Sequence, residues 1–242
     1  MNPSANSELK GDPKGKVAWP GPTPPMRRAI SPSRFALACE YALGELPSGE
    51  LPRVLDVGCV DARPDRESSK ARVRDNEKHI FRHVADHNPH VHGIDLDPAG
   101  VSYLQSEGYS CEVANAIELD LEGRKFDVIL ATEIIEHVED PGRFLRSIAS
   151  HLAPGGKLVV TTPCPFYSAQ IGKVWRKGRP DVHEEHVMWF DPITLARLVT
   201  RVGLHWNEGV WLAPRRRRLR NWRLAFRPYF HPAFGAVIEA RT

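Results

Sequence analysis

The chain has 242 residues, a formal net charge of +3 and four cysteines, a size and balance that fit one α/β domain with additions. Lys10, Lys14 and Lys16 stand among Pro and Gly with no apolar run behind them, so a secretory signal is not expected. No run reaches the ~18 apolar residues of a membrane span. Cys39, Cys59, Cys111 and Cys164 are scattered without a CxxC pair, which argues against a zinc knuckle or a disulfide framework and for a reducing cytoplasm.

Residues 1–29 are rich in Pro, Gly and Ser and are expected to form a flexible tail outside the core. Residues 30–242 are expected to form the domain. Ser31 and Ser33 flank Pro32 ahead of Phe35, Ala38, Cys39, Ala42, Leu43 and Leu46, so a capped helix should run to just before Pro47. Arg53 to Gly58 and Val91 to Asp97 are short apolar runs that end in Gly or acid, the form of buried parallel strands. Between them, residues 60–77 are almost entirely polar and predict a surface insert above the turn after the first strand.

Helices are expected over Lys78 to Asp86 and Pro98 to Glu107, and strands over Tyr109 to Val113, Phe126 to Ala131 and Lys157 to Thr162, the last introduced by Pro154-Gly155-Gly156. After Pro163 the pattern loosens into a loop containing Tyr167, Trp175 and Trp189. A helix capped by Asp191 then covers Pro192 to Val202, and Leu204 to Leu212 and Phe234 to Arg241 are the last strands. This alternation predicts a Rossmann-like, doubly wound α/β sheet. Between the last two strands, residues 213–232 form a basic aromatic insert with seven arginines from Arg215 to Arg227.

Asp56, Gly58 and Cys59 lie at the end of the first strand, Asp95 and Leu96 at the end of the second, Asn115 and Ala116 after the third, and Thr132 and Glu133 after the fourth. Ligands of open α/β sheets bind at such ends. A G-x-G-x-x-G is missing, so a dinucleotide cradle is not expected. Glu133, Glu136 and His137 are spaced i, i+3, i+4 and would share one face of a helix. A second polar cluster holds Asp181, His183, Glu184, Glu185 and His186. Two acids and two imidazoles can close an oxygen and nitrogen site for Mg²⁺ or Mn²⁺.

Taken in order, these motifs make residues 50–205 resemble class I S-adenosylmethionine-dependent methyltransferases. The resemblance implies a seven-stranded sheet with an antiparallel last strand. It implies that Asp56, Gly58, Cys59, Asp95, Leu96, Asn115, Ala116 and Thr132 bind S-adenosyl-L-methionine, with Val60 and Ala62 standing where the family has further glycines. The Glu-x-x-Glu-His element is similar to one in ubiquinone O-methyltransferases and in small-RNA 3′-terminal 2′-O-methyltransferases. In the RNA enzymes that element binds a divalent metal together with a later His. By that likeness Glu133, Glu136, His137 and His186 are metal candidates, and His137, His186 and Glu136 are catalytic candidates.

Leu55 to Val60, Ile135 to His137, Thr161 to Pro163 and Glu185-His186 with Trp189-Phe190-Asp191 also resemble glycan O-methyltransferases. The expectation is therefore methyl transfer to a hydroxyl of a glycan, a lipid-linked sugar or a similar small molecule. The alternatives are an RNA 3′ end, a quinone or phenol, or a non-catalytic binding module of the same fold. The Arg-rich segment predicts peripheral contact with an anionic membrane, ahead of nucleic acid.

Overall fold

The computed structural model describes residues 23–31, 33–60, 79–212 and 227–241. Eight strands form one sheet in the order β1-β7-β8-β6-β5-β2-β3-β4. They are β1 (Met26–Ser31), β2 (Val54–Val57), β3 (Val91–Asp95), β4 (Cys111–Val113), β5 (Phe126–Thr132), β6 (Leu152–Pro163), β7 (Leu204–Leu212) and β8 (Ala233–Ala240). β2, β3, β4, β5 and β6 run parallel, and β8 is antiparallel to both β6 and β7. The mostly parallel Rossmann-like sheet with a reversed last strand is thus as expected, with one strand more than the seven anticipated.

The additional strand is β1, which corrects the boundary of the tail, since Met26 to Ala29 belong to the sheet. It pairs parallel with β7. The Pro25 carbonyl accepts from the Gly209 N–H at 2.7 Å and from the Trp206 indole at 3.2 Å, and Arg27 pairs with Glu208 at 2.8 Å. These partners lie far along the chain, so nothing local in a Pro-rich segment announces the strand.

Among the described residues there are six α-helices, α1 (Arg34–Ala42), α2 (Ile80–His87), α3 (Pro98–Ser106), α4 (Pro141–Ala149), α5 (Ser168–Lys177) and α6 (Pro192–Arg201). The period of two along each strand sorts its side chains onto two layers. Leu55, Ile129, Leu158 and Val160 pack with Phe144, Ile148, Leu195 and Val199 of α4 and α6. Val54, Val128, Leu130 and Val159 pack with Leu37, Phe81, Val101 and Leu104 of α1, α2 and α3. Helix α5 lies where a loop was expected.

Val60, assigned to the surface insert, is wholly buried. It packs where a Cβ on Gly100 of α3 would stand. The remainder of the insert, residues 61–77, lies outside the described residues. So do residues 1–22 of the tail and 213–226 of the basic aromatic insert. Of that insert, Pro228–Phe230 form a 3₁₀ turn, and the Tyr229 ring packs 5.1 Å from that of Trp211.

Candidate active site

Strand β2 has β3 on one side and β5 on the other, so the sheet order reverses there, and a crevice opens outside the carboxyl ends of these strands. The cleft measures about 990 Å³. All eight residues expected to bind cofactor line it, as do Glu133, His137 and His186.

The turn after β2 is shaped by Gly58, whose φ of +81° places it in the left-handed region and whose missing Cβ leaves room for the Ile134 side chain. The Gly58 and Cys59 N–H groups donate to the Ile94 carbonyl at 2.8 and 3.1 Å, which ties this turn to the end of β3. There Asp95 accepts from the Val60 N–H and from the Asp97 N–H, each at 2.9 Å. Burial raises the Asp95 carboxyl above the ordinary range, and these two N–H groups act against that shift. Val60 thus does not leave a gap where a glycine is missing. Its backbone orients the acid and its side chain fills the space that Gly100 provides.

Beside Asp95, Leu96 is 68% exposed at the cleft wall, an apolar surface fit for a planar ring. After β4 the Asn115 side chain caps the 3₁₀ turn Ala116–Glu118 by accepting from the Ile117 N–H at 3.0 Å. The Cys59 thiol is pushed up by the Cys111 thiol and by burial, so it serves as packing at the cleft floor and not as a nucleophile.

At the end of β5 the chain departs from the expected helix. Glu133 takes φ of +56°, and a 3₁₀ turn spans Ile135–His137. The expectation that Glu133, Glu136 and His137 share one helical face is therefore corrected. Glu133 turns to Arg34 at the start of α1 and forms an ion pair with it. Glu136 points inward and is 1% exposed, with neither carboxylate oxygen hydrogen-bonded. Burial, with the Glu133 carboxylate adding to it, pushes its carboxyl up to about 8.

The second polar cluster is held to this turn through backbone. The Glu136 carbonyl accepts from the Val187 and Met188 N–H groups at 3.0 and 3.2 Å, which brings His186 to the cleft. The His137 and His186 rings meet edge to face at 4.7 Å. Donor atoms of Glu136, His137 and His186 lie within 4.8 Å of one another. Glu133 is not in that group, so the metal candidates reduce to three. Burial lowers the pKa of His137, opposed by Glu185, whose carboxylate is 4.0 Å away. Asp181 pairs instead with Lys173 at 2.6 Å.

Sequence reasoning missed Arg34 and His79 as cleft residues. Arg34 carried a weak signal, since it follows the Ser33 cap and its helix runs under β5. Its pairing with a residue at the end of β5 is a tertiary fact.

A switch-point cleft with acids at neighbouring strand ends and an imidazole pair beside a buried carboxyl defines a ligand-binding α/β domain. Residues 28–207 match the family profile described as "Methyltransferase domain", and the chain belongs to the class I S-adenosylmethionine-dependent methyltransferases. It is 32% identical over 165 residues to the "Ubiquinone biosynthesis O-methyltransferase" of Caulobacter sp. (strain K31), a stretch of 62% of this chain and 56% of that one. The chain thus spans little more than half the length of that relative. It is 30% identical over 215 residues to the protein of the same name from Xanthomonas axonopodis pv. citri, covering 83% of this chain and 80% of the other. Among solved structures, the N-methyltransferase NodS from Bradyrhizobium japonicum WM9, in complex with S-adenosyl-L-homocysteine, superposes with a TM-score of 0.50 at 18% identity over 86% of each chain. That likeness concerns the fold alone.

Proposed function

We propose that this chain transfers a methyl group from S-adenosyl-L-methionine to the hydroxyl of a phenolic or quinol acceptor. The observation that carries the reading is the His137 and His186 imidazole pair, backed by the buried Glu136 carboxyl, in the same cleft as the acids at the ends of β2 and β3. The glycan acceptor favoured by the motif pattern yields to the phenolic one for two reasons. The similar proteins are named for ubiquinone biosynthesis, and apolar groups such as Ile134 and Val138 line the cleft near the imidazoles.

In this reading Asp95 takes the ribose hydroxyls and Leu96 packs on the adenine, with Asn115 at its edge. Asp56, Gly58 and Thr132 surround the methionine part, and the Arg34 guanidinium faces its carboxylate while Glu133 holds that guanidinium in place. A lone pair of the acceptor oxygen forms the new O–CH₃ bond as the S–CH₃ bond breaks. When bound, the cofactor would supply the methyl, its sulfur keeping the electrons of the broken bond, and the hydroxyl proton would pass to an imidazole. Lowered by burial, His137 is neutral at pH 7 and can take that proton.

Glu136, His137 and His186 also fit a divalent cation, because their donor atoms lie within 4.8 Å of one another and an ion there would displace the Glu136 proton. Such an ion would polarise the acceptor hydroxyl. Calorimetry with S-adenosylhomocysteine followed by label transfer to a simple catechol tests the proposal. Binding and transfer are expected, His186→Ala should lower transfer by about 10²-fold with cofactor affinity kept, and absence of cofactor binding at millimolar concentration ends the reading. If transfer survives exhaustive chelation, the cation has no part in it.

A further inference from the structure

Helix α5 follows β6 directly and so leaves the sheet at the cleft side. None of its ten residues is buried. A lone helix of that length is marginal in water and owes its stability to a face it buries, yet Ile171, Val174 and Trp175, at i, i+3 and i+4, share an exposed face. Trp175 is 90% exposed. Val182, Val187 and Trp189 continue the exposed apolar surface on the segment that carries His183 and His186. The two stretches are joined, since Asp181 bonds to both Gln170 and Lys173. From Ser168 to Pro180 there is no acid, and Arg176, Lys177 and Arg179 flank the apolar residues, beside Lys173, which is paired with Asp181; the adjoining segment carries Glu184 and Glu185, which leaves the surface a net positive charge.

We propose that α5 and Val182 to Trp189 form a docking surface for an anionic lipid bilayer, with Trp175 seated at the headgroup level. An amphipathic helix with an indole on its apolar face and cations around it matches such a surface in both hydrophobicity and charge. A second copy of the chain matches it less well, because twofold contact would set Arg176 and Lys177 against their own like charges. Among the described residues no helix is long and apolar enough to cross a membrane, so the contact is peripheral. The surface borders the imidazole end of the cleft, which places a bilayer-borne phenol where the methyl is delivered. That last step rests on the function proposed above, whereas the docking does not.

The test is co-sedimentation of the full chain with vesicles of phosphatidylcholine alone or mixed with phosphatidylglycerol. The wild-type chain should bind the anionic vesicles and release with salt. Trp175→Ser and the pair Arg176→Glu with Lys177→Glu should each lower the partition coefficient about ten-fold. Replacement of Arg215 to Arg218 by Ser serves as the comparison. The proposal is overturned if the wild-type chain ignores anionic vesicles, or if Trp175→Ser partitions like wild type while the Arg215 to Arg218 variant loses binding. It is equally overturned if Trp175→Ser instead abolishes a dimer seen without lipid. Calorimetry with S-adenosylhomocysteine on the same samples reports separately on the methyl-transfer reading, since cofactor binding does not depend on vesicles.

Discussion

Glu136 is held above its ordinary protonation range by burial, and its sign in stability follows from that. Between the unfolded value near 4.5 and the folded value of about 8, the folded state binds a proton that the unfolded state has released. Stability therefore falls as pH rises through this window. Glu136→Gln should remove the dependence, making the variant more stable than wild type by about 2–4 kcal/mol at pH 9 and nearly equal to it at pH 4. Urea melts across pH would show it, and parallel slopes for the two proteins would refute it. Asp95 and Asn115 were legible because a polar residue at the end of an apolar run has few other uses. Glu133 was misread because its side chain is aimed by a left-handed backbone and a cation 99 positions away, and helical spacing contains neither.

Helices α3, α4 and α6 all begin Asp-Pro, with the Asp accepting a backbone N–H of the first turn and the Pro at the position that needs no donor. Two of these starts, Asp97-Pro98 and Asp191-Pro192, were readable directly. Helix α5 lacks a capping side chain and has no fully buried residue, so no period betrayed it. The contact between the turn after β2 and α3 is a matched pair of large and absent side chains. Gly100→Ala should overpack against Val60 and cost about 1–3 kcal/mol. Combining it with Val60→Ala should recover most of that loss, a coupling of about 1 kcal/mol or more in a double-mutant cycle. Strict additivity would mean that the two do not press on each other.

At the scale of the whole molecule, the candidate cofactor site is assembled from the ends of four strands, so a ligand there fastens segments that are distant in sequence. S-adenosylhomocysteine at 100 times its dissociation constant should add about 2.7 kcal/mol and raise the melting temperature by roughly 5–10 °C. Slowed amide exchange is expected around residues 58–60, 95–97, 115–117 and 132–134 together, and protection of one turn alone would argue for a different site. The mostly parallel sheet with its reversed last strand was legible from alternation and the family pattern, whereas β1 was not, because Arg27 finds Glu208 across 181 positions. The link between Glu136 and the segment after His186 carries a consequence for sequence drift. The main-chain N–H groups of Val187 and Met188 make it, so the link itself tolerates any side chain with an N–H behind it, while Met188 is further held by its packing on the core. Proline, which has no N–H to give, is the one residue that lineages of this chain should never show at either position.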